Sequence, residues 1–251
     1  ADAMRGFGLD PDLIQQAARE PHDVIAYIEL HIEQGPVLED KGLAAGIVTA
    51  IAGATRLIIS VEGVAGHAGT VPMNLRQDAL AAASDCVLAV EEIAARNSGT
   101  VGTVGQMAVS PGATNVIPGK VTFSGDVRSA DDPVRMVALA DLHDRMCEIA
   151  SRRNVVISAE TVHEAPSVNC SINIMDLIER SMIKVGLQPF RLPSGAGHDA
   201  AAMADLTEIG MIFIRCDGGI SHHPAESITE DDAITGSRLL LNVLQNFNEQ
   251  P

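Results

Sequence analysis

Five of the eight histidines stand beside glycine, proline or the end of a predicted strand, where proteins often carry functional side chains. A neutral imidazole nitrogen binds zinc and similar divalent ions, and an imidazole also transfers protons near neutral pH. Metal-assisted or acid–base chemistry is therefore the first hypothesis for these five residues, His31, His67, His198, His222 and His223. Ordinary surface or core positions are expected for the other three, His22, His143 and His163.

The stretch "YIELHIEQGPVLE", residues 27–39, alternates polar and aliphatic residues as a strand does. Glu29, His31 and Glu33 share one face, and Gly35 ends the strand. One interpretation is a half-buried strand whose polar side faces water. The other is that His31 points into a functional site.

The stretch "GGISHHPAES", residues 218–227, directly follows a predicted buried strand. Ligands of open α/β sheets bind beyond the carboxyl ends of the strands, so a histidine here is a candidate metal ligand. A plain loop histidine is the alternative. Glu226 is a candidate acceptor that would orient an imidazole ring.

Small residues precede His198 and Asp199 in "SGAGHDAAAMA", at a predicted helix start. The exposed N–H groups of such a start favour a carboxylate or another anion, which makes Gly197 and His198 candidates for substrate binding. The alternative is a helix that simply has Asp199 in its first turn.

Three further polar residues lie in glycine-rich or proline-rich surroundings in the middle of the chain. His67 lies in "GVAGHAGTVPM", Asn115 in "ATNVIPG" and Arg128 in "SGDVRS". A guanidinium grips a carboxylate with two parallel hydrogen bonds, so Arg128 is a candidate for carboxylate recognition. Taken singly, each residue could equally be a turn residue or a surface charge.

The composition narrows the class of partner. The chain has 251 residues, of which 46% are hydrophobic, and a formal net charge of −16. This content supports a substantial core, in one large domain or two modest ones. The surplus of acid disfavours nucleic acid and favours a small molecule as partner. The four cysteines form no C-x-x-C pair, which argues against a disulfide framework and against a cysteine zinc site.

No apolar run approaches the length of a membrane span, and no signal-peptide pattern occurs at the start. The sequence therefore predicts no membrane partner and a cytoplasmic location. The chain begins without a methionine, which favours an upstream segment that is not part of this sequence.

Hydrophobic periodicity divides the chain into two outer segments and a middle one. The outer segments predict an α/β layer, because a short apolar run between helices suits a strand buried on both faces. Their predicted elements are a helix over 9–20, strands over 24–34 and 45–51, a short helix over 36–42, a linker over 52–55, a helix over 172–186, a strand over 210–216 and a helix over 230–247.

The middle segment, residues 52–165, predicts the order β-α-β-β-α-β of a ferredoxin-like α+β unit. Its strands are expected over 56–64, 100–109, 120–128 and 155–162, with helices over 74–96 and from Asp131 or Asp132 to Arg153. The second helix is expected to turn inward the residues Met136, Val137, Ala140, Met146 and Ile149. The predicted fold class is α/β, with residues 1–51 and 166–251 in one domain and the middle segment inserted as a lid.

Six motifs in this order resemble one family: "YIELHIEQGPVLE", "GHAGTVPM", "NVIPG", "DVR", "SGAGHDA" and "GISHHPAE". The chain resembles the zinc amidohydrolase family of allantoate amidohydrolases and N-carbamoyl-L-amino-acid hydrolases, among the aminoacylase and carboxypeptidase-G-like metallopeptidases. The resemblance spans nearly the whole chain. It implies a catalytic α/β domain, an inserted dimerisation lid that makes a homodimer, and two divalent metal ions, with zinc expected and manganese or cobalt as alternatives.

The resemblance also implies roles for single residues. His31 and His222 match the histidine ligands of the two metals, and His222 is preferred over His223 because the ligand in the family follows serine directly. Substrate residues are implied at Gln34, Asn115, Arg128 and His67, where Arg128 holds a carboxylate and His67 stabilises the oxyanion, often across the dimer interface.

The chain departs from the family in one respect. The family has an H-x-D motif, a bridging aspartate and a catalytic Glu-Glu pair before the "HIEQG" segment, and no H-x-D occurs in this sequence. Glu91-Glu92 is rejected as the pair because it lies on the predicted lid helix. The chain is therefore expected to be either the carboxyl-terminal part of a longer enzyme or a degenerate member, and to bind metal poorly and be inactive alone.

The leading functional hypothesis is hydrolysis of the carbamoyl (ureido) C–N bond of allantoate or an N-carbamoyl-L-amino acid by metal-activated water. An aminoacylase or peptidase of the same superfamily is the second hypothesis. A non-catalytic, dimerising module that binds a ligand is the third.

Overall fold

The computed structural model of the protein describes residues 1–247. Its α-helices are α1 Asp2–Gly6, α2 Val37–Asp40, α3 Ala79–Arg96, α4 Asp132–Arg153, α5 Ile172–Lys184, α6 Asp199–Met203 and α7 Glu230–Gln245. Its strands are β1 Tyr27–Ile32, β2 Ala45–Ile51, β3 Gly53–Glu62, β4 Gly66–His67, β5 Thr100–Thr103, β6 Met107–Ser110, β7 Val116–Ile117, β8 Lys120–Ser129, β9 Val156–Ala165, β10 Val168–Asn169, β11 Arg191–Ser194 and β12 Ile209–Ile214. Short 3₁₀ helices cover Pro11–Ala17, Pro21–Asp23, Met73–Leu75 and Asp217–Gly219.

The first of two compact units comprises residues 1–49, 170–192 and the described residues from 197 onward. Its sheet places β12 between β1, which runs parallel to it, and β2, which runs antiparallel. All six residues of β12 are buried, as expected of a short apolar strand that is covered on both faces. A parallel α/β layer was expected of the outer segments, but the sheet is mixed, because β12 pairs parallel with β1 and antiparallel with β2.

The parallel pairing of β1 and β12 brings two loops to the same edge of the sheet. His31 lies opposite Phe213 in this register, near the carboxyl end of both strands. The loops that leave the two strands, with Gln34 in the first and residues 217–227 in the second, therefore start side by side. The "YIELHIEQG" and "GGISHHPAES" stretches thus reach the same edge of the sheet.

The second unit comprises residues 50–169 and 193–196. Its antiparallel sheet has the order β5-β8-β3-β9, with β6 also paired to β8. Helices α3 and α4 cover one face of this sheet, over a core that includes Phe123, Ile59 and Leu142. The principal elements follow the predicted order β-α-β-β-α-β. The domain boundaries at 51/52 and 165/166 stay predictions.

Several predicted elements are wrong in extent. The predicted helix over 9–20 is a 3₁₀ helix, Pro11–Ala17. The predicted linker over 52–55 is strand instead, because β3 begins at Gly53. The single strand predicted over 100–109 is divided into β5 and β6, because the backbone N–H groups of Gly105 and Gln106 between them donate to the side-chain hydroxyl of Ser124 on β8 and not to a backbone carbonyl.

The inward face of α4 also differs from the prediction. Met136 and Val137 are 52% and 54% exposed, and Ala140 is exposed as well. The buried face consists of Arg135, Ala138, Leu142, Met146 and Ile149. Arg135 is 3% exposed because its guanidinium bonds Thr55 on β3 and pairs with Asp132 one turn earlier. A charged residue on the inner side of α4 was not expected. Because the prediction left Arg135 out of the buried face, it placed that face partly on the wrong side of the helix.

No helix in residues 1–247 is long and apolar enough to cross a membrane. All four cysteines are free thiols, and burial raises the pKa of Cys86 and of Cys170 to about 11.

Candidate functional site

The turn after β1 and the loop after β12 are in backbone contact. A Cβ on Gly219 would lie 2.6 Å from the backbone nitrogen of Pro36, and the φ of Gly219 is +64°. Only glycine meets both conditions without strain. Cys216 at the end of β12 reaches the carbonyl oxygen of Gly35 with its thiol, at 3.6 Å. The loop is therefore anchored close to the end of β1.

His31 has one ring nitrogen committed and one available. Its Nδ1 lies 2.7 Å from the carbonyl oxygen of Ile32, which can only accept a hydrogen bond. Nδ1 must therefore carry the proton, and Nε2 of the neutral ring keeps its lone pair. A backbone carbonyl on the opposite nitrogen is the usual arrangement of a metal-binding histidine. His31 thus has the tautomer that a metal ligand needs.

Two further side chains lie beside His31. The ring of His198 packs edge-on against the His31 ring, with centroids 4.7 Å apart and an interplanar angle of 75°. Nδ1 of His198 lies 3.4 Å from Oε1 of Glu29. Donor atoms of Glu29, His31 and His198 all lie within 4.8 Å of one another. These three residues could hold a divalent ion.

His198 is deeply placed in this cluster. Its side chain is 1% exposed, against 12% for that of Glu29, and its ring also contacts Phe213. Burial lowers the pKa of His198 below its usual value of 6.5, and the neighbouring His31 adds to the lowering. The ring is therefore neutral near pH 7, the state in which an imidazole nitrogen can bind a metal.

The N-terminus of α6 already binds a carboxylate of this chain, that of Glu29. The backbone N–H of Ala200 donates to Oε2 of Glu29 at 2.9 Å, so a carboxylate of this chain takes the place predicted for a ligand. Gly197 has open space where a Cβ would stand. The substrate-binding roles of Gly197 and His198 stay predictions.

The two histidines of the "SHHP" stretch differ in the nitrogen they leave available. Nδ1 of His223 accepts the backbone N–H of Ala225 at 3.1 Å, so the neutral ring carries its proton on Nε2 and offers no outward lone pair. The ring of His222 makes no hydrogen bond within residues 1–247, and its φ is +56°. This difference favours His222 as the metal ligand, for a reason independent of the sequence motif.

Gln34 contacts the same loop. Its Nε2 donates to the Ser221 hydroxyl at 3.1 Å, and its φ is also +56°. Positive φ is uncommon outside glycine and clusters at functional sites. Only one other non-glycine residue in the described chain has it, Asn154, which ends α4.

The second unit brings two of its predicted residues together. Strands β4 and β7 pair with His67 opposite Val116, and the N–H of Ala68 donates to the carbonyl oxygen of Asn115 at 3.0 Å. Nδ1 of His67 accepts the N–H of Gly69 at 3.1 Å, which leaves Nε2–H as an outward donor. His67 therefore has the tautomer that an oxyanion requires.

Arg128 is held by its own strand neighbour. Its Nε and Nη2 donate to the two oxygens of Asp126 at 2.7 and 2.9 Å, and Nη1 donates to the Gly195 carbonyl at 2.9 Å. The guanidinium lowers the pKa of Asp126 below its usual value of 3.8, with a smaller contribution from Arg56. Because a guanidinium has five N–H groups, two remain for a ligand.

Arg128 borders a cavity of about 650 Å³ on the sheet face opposite the helices. Polar groups at its floor are Arg56, Asp126 and Ser124, and Ile58 and Val162 line its apolar part. Of the described residues, His67 and Asn115 are not among those that line it. His67 therefore lies beside Asn115, whereas Arg128 lines this cavity.

Sequence reasoning missed Glu29 as a neighbour of His198 and Asp126 as the partner of Arg128. Glu29 shares the polar face of β1 with His31, which was a usable signal. Asp126 stands two residues before Arg128 on one face of β8, a spacing that also predicts contact.

The protein thus combines a mixed α/β unit, which carries the Glu29, His31 and His198 cluster near the carboxyl end of β1, with a separate antiparallel α+β unit. Residues 4–246 match the family model described as Peptidase family M20/M25/M40. The chain belongs to this family, whose members generally depend on divalent metals.

Proteins named as an amidohydrolase, a deiminase and an amidase are similar to this chain in sequence or structure. An N-carbamoyl-L-amino acid amidohydrolase from Geobacillus stearothermophilus is 46% identical over 244 residues, which cover 97% of this chain and 60% of the relative. An allantoate deiminase from Arabidopsis thaliana is 39% identical over 274 residues, covering 98% and 52%. A crystal structure of an amidase of the hydantoinase/carbamoylase family from Burkholderia multivorans superimposes with a TM-score of 0.86 at 35% identity, covering 88% and 54%. The chain spans between half and two thirds of the length of these proteins.

Proposed function

We propose that the protein carrying this chain hydrolyses the carbamoyl C–N bond of an N-carbamoyl-L-amino acid or of allantoate. The proposal depends mainly on the parallel pairing of β1 and β12, which brings the "HIEQG" and "SHHP" stretches to the same edge of the sheet. The chain is also 46% identical to an N-carbamoyl-L-amino acid amidohydrolase. The alternating polar face of β1 then has a function, because it presents His31 to that edge.

His31, through Nε2, and His222 are the proposed metal ligands of this chain. Glu29 and His198 lie close enough to His31 to supply further donors or to orient its ring. Zinc is the proposed metal, with manganese or cobalt as alternatives, because all three accept imidazole and carboxylate ligands. A bound divalent ion would supply an activated water and polarise the carbonyl under attack.

The second unit supplies most of the proposed substrate contacts, and Gln34 of the first unit supplies one. The Nε2–H of His67 is the donor for the oxyanion that develops on the attacked carbonyl. Arg128 holds the substrate carboxylate with its two remaining N–H groups, while Asp126 fixes the guanidinium plane. Asn115 and Gln34 complete the proposed substrate contacts, and Gln34 keeps one amide proton and its carbonyl for this purpose.

A substrate panel with metal removal tests the proposal. The protein should release ammonia from an N-carbamoyl-L-amino acid or from allantoate, lose this activity to a chelator and regain it with Zn²⁺, Mn²⁺ or Co²⁺. His31→Ala and His222→Ala should each lower kcat/KM by more than the roughly 10- to 100-fold expected when a residue that orients a ligand is lost, because each removes a proposed ligand itself. His163→Ala, an exposed histidine on β9, is the control. Chelator-resistant turnover would contradict the proposal.

A peptidase or aminoacylase is the second candidate, because the family description itself names peptidases. N-acetyl amino acids and dipeptides in the same panel distinguish it: turnover of these without turnover of carbamoyl substrates selects the second candidate. Binding of a carboxylate ligand without any turnover selects the non-catalytic module.

Assembly into a homodimer through the unit of residues 50–169 is also part of the proposal. Its support is the resemblance to dimeric amidohydrolases. Light scattering of the purified protein measures the mass directly, and a monomer at working concentration would remove this part of the proposal.

A further inference from the structure

A hydrogen-bonded chain joins the turn after β1 to the loop after β12. Nε2 of Gln34 donates to the Ser221 hydroxyl at 3.1 Å, and the Ser221 hydroxyl in turn bonds the Glu226 carboxylate. Oε2 of Glu226 accepts the backbone N–H of His222 at 3.1 Å. Glu226 thus closes a ring of contacts around His222.

The segment held by this chain contains unfavourable backbone. His222 has a φ of +56°, which costs a non-glycine residue on the order of 1–3 kcal/mol unless the surroundings impose it. The N–H of His222 is the group that Glu226 fixes, and the N–H of Glu226 itself donates to the carbonyl oxygen of His223 at 2.9 Å. These two bonds impose the turn from both ends.

The carboxylate also lies near both candidate ligands. Hydrogen bonds from the Ser221 hydroxyl and from the His222 N–H lower the pKa of Glu226 below its usual value of 4.5, and electrostatic interactions with His222 and His31 add to the lowering. The Glu226 carboxylate therefore interacts with the loop at Ser221 and His222 and with the imidazoles of both candidate ligands.

We propose that Glu226, acting through Ser221 and the His222 backbone, is a positioning residue that turns the His222 imidazole toward the metal site beside His31. The proposal rests on the proposed function, in which His222 is a metal ligand. Glu226 itself touches neither metal nor substrate in this role.

A purely structural role is the competing explanation, and the fold argues against it. The base of the loop is already anchored by Gly219 against Pro36 and by Cys216 against Gly35. Glu226 is exposed and lies beyond these anchors, in the part of the loop that carries His222. Its loss should therefore change the direction of the imidazole more than the stability of the protein.

The experiment measures Zn²⁺ affinity by competition with a chromophoric chelator, and the absorption spectrum of the Co²⁺-loaded protein. Glu226→Gln and Ser221→Ala should each weaken Zn²⁺ binding about 10- to 100-fold, the usual effect of losing a residue that orients a ligand. Ser221→Thr keeps the hydroxyl and should restore affinity. Glu230→Gln is the matched control, because Glu230 is exposed and makes no hydrogen bond or ion pair within residues 1–247.

Zn²⁺ binding by His222→Ala and by Glu226→Gln distinguishes failure of the positioning role from failure of the proposed function. Weaker binding in His222→Ala with unchanged binding in Glu226→Gln overturns the positioning role and leaves the proposed function intact. Unchanged binding in His222→Ala overturns both. The thermal midpoint of metal-free Glu226→Gln should equal that of the parent protein, while its Co²⁺ spectrum changes. A lowered midpoint with an unaltered spectrum would make Glu226 a structural residue and overturn the proposal.

Discussion

At the scale of single residues, the backbone decides which nitrogen each histidine offers. The Nδ1–H of His31 donates a hydrogen bond to a backbone carbonyl, so Nε2 keeps its lone pair. His67 and His223 accept a backbone N–H on Nδ1 and keep a proton on Nε2. The same side chain can thereby offer a lone pair to a metal in the first case and a hydrogen-bond donor in the others.

This difference predicts the behaviour of His67 variants. His67→Ala should lower kcat of the proposed hydrolysis about 100- to 1000-fold, the effect of losing one oxyanion donor, with a smaller change in KM. His67→Gln keeps an N–H donor and should recover part of the loss. Steady-state kinetics with a carbamoyl substrate measures both, with His163→Ala as control. An equal loss in both variants, or a change confined to KM, would contradict the assigned role.

At the scale of elements, an arginine pair ties helix α4 to helix α3. Nη2 of Arg152 and Nε of Arg153 both donate to Oδ2 of Asp85 on α3. A hydrogen bond from Arg153 is the main cause that lowers the pKa of Asp85 below its usual value of 3.8. Because the folded pKa is depressed, the stabilisation is present above the unfolded value and is lost as pH falls through the folded one.

Asp85→Asn should therefore reduce the free energy of unfolding by about 1 kcal/mol at pH 7, after allowance for the exposure of Arg152. The difference from the parent protein should persist down to about pH 4 and shrink below the usual value of 3.8. Urea unfolding at a series of pH values measures it. Asp144→Asn, on the exposed side of α4, is the control. A difference that stays constant down to pH 3 would refute the ion-pair explanation.

The elements also show what sequence patterns reveal and what they leave hidden. Strand β12 was predictable, because an apolar run between helices has one favoured structure. The buried face of α4 was not, since Arg135 pairs with Asp132 and donates a hydrogen bond to the Thr55 hydroxyl, contacts that hydrophobic periodicity does not reveal. The predicted start of β3 was three residues late, because the small residues at 53–55 resemble a linker until their pairing with β8 is seen.

At the scale of the whole molecule, the candidate site depends on pairing between distant segments. His31 and His222 were identified from motifs, but their shared edge follows from the parallel register of β1 and β12, whose partner residues are some 180 positions apart, as Tyr27 and Ile209 are. The contacts of Glu29 with His198 and of Gln34 with Ser221 likewise join remote segments. The sequence motifs identified the candidate site residues, and the fold showed which other residues lie beside them.

The central claim is that His31 and His222 hold the same metal site. The most direct measurement is a crystal structure of the zinc-loaded protein with anomalous scattering data collected on both sides of the zinc absorption edge. We expect an anomalous peak about 2.0–2.1 Å from Nε2 of His31, and a nitrogen of His222 at the same distance from this peak or from a second one about 3.5–4 Å away. A zinc peak on His223, or no peak within ligand distance of His31, would contradict it.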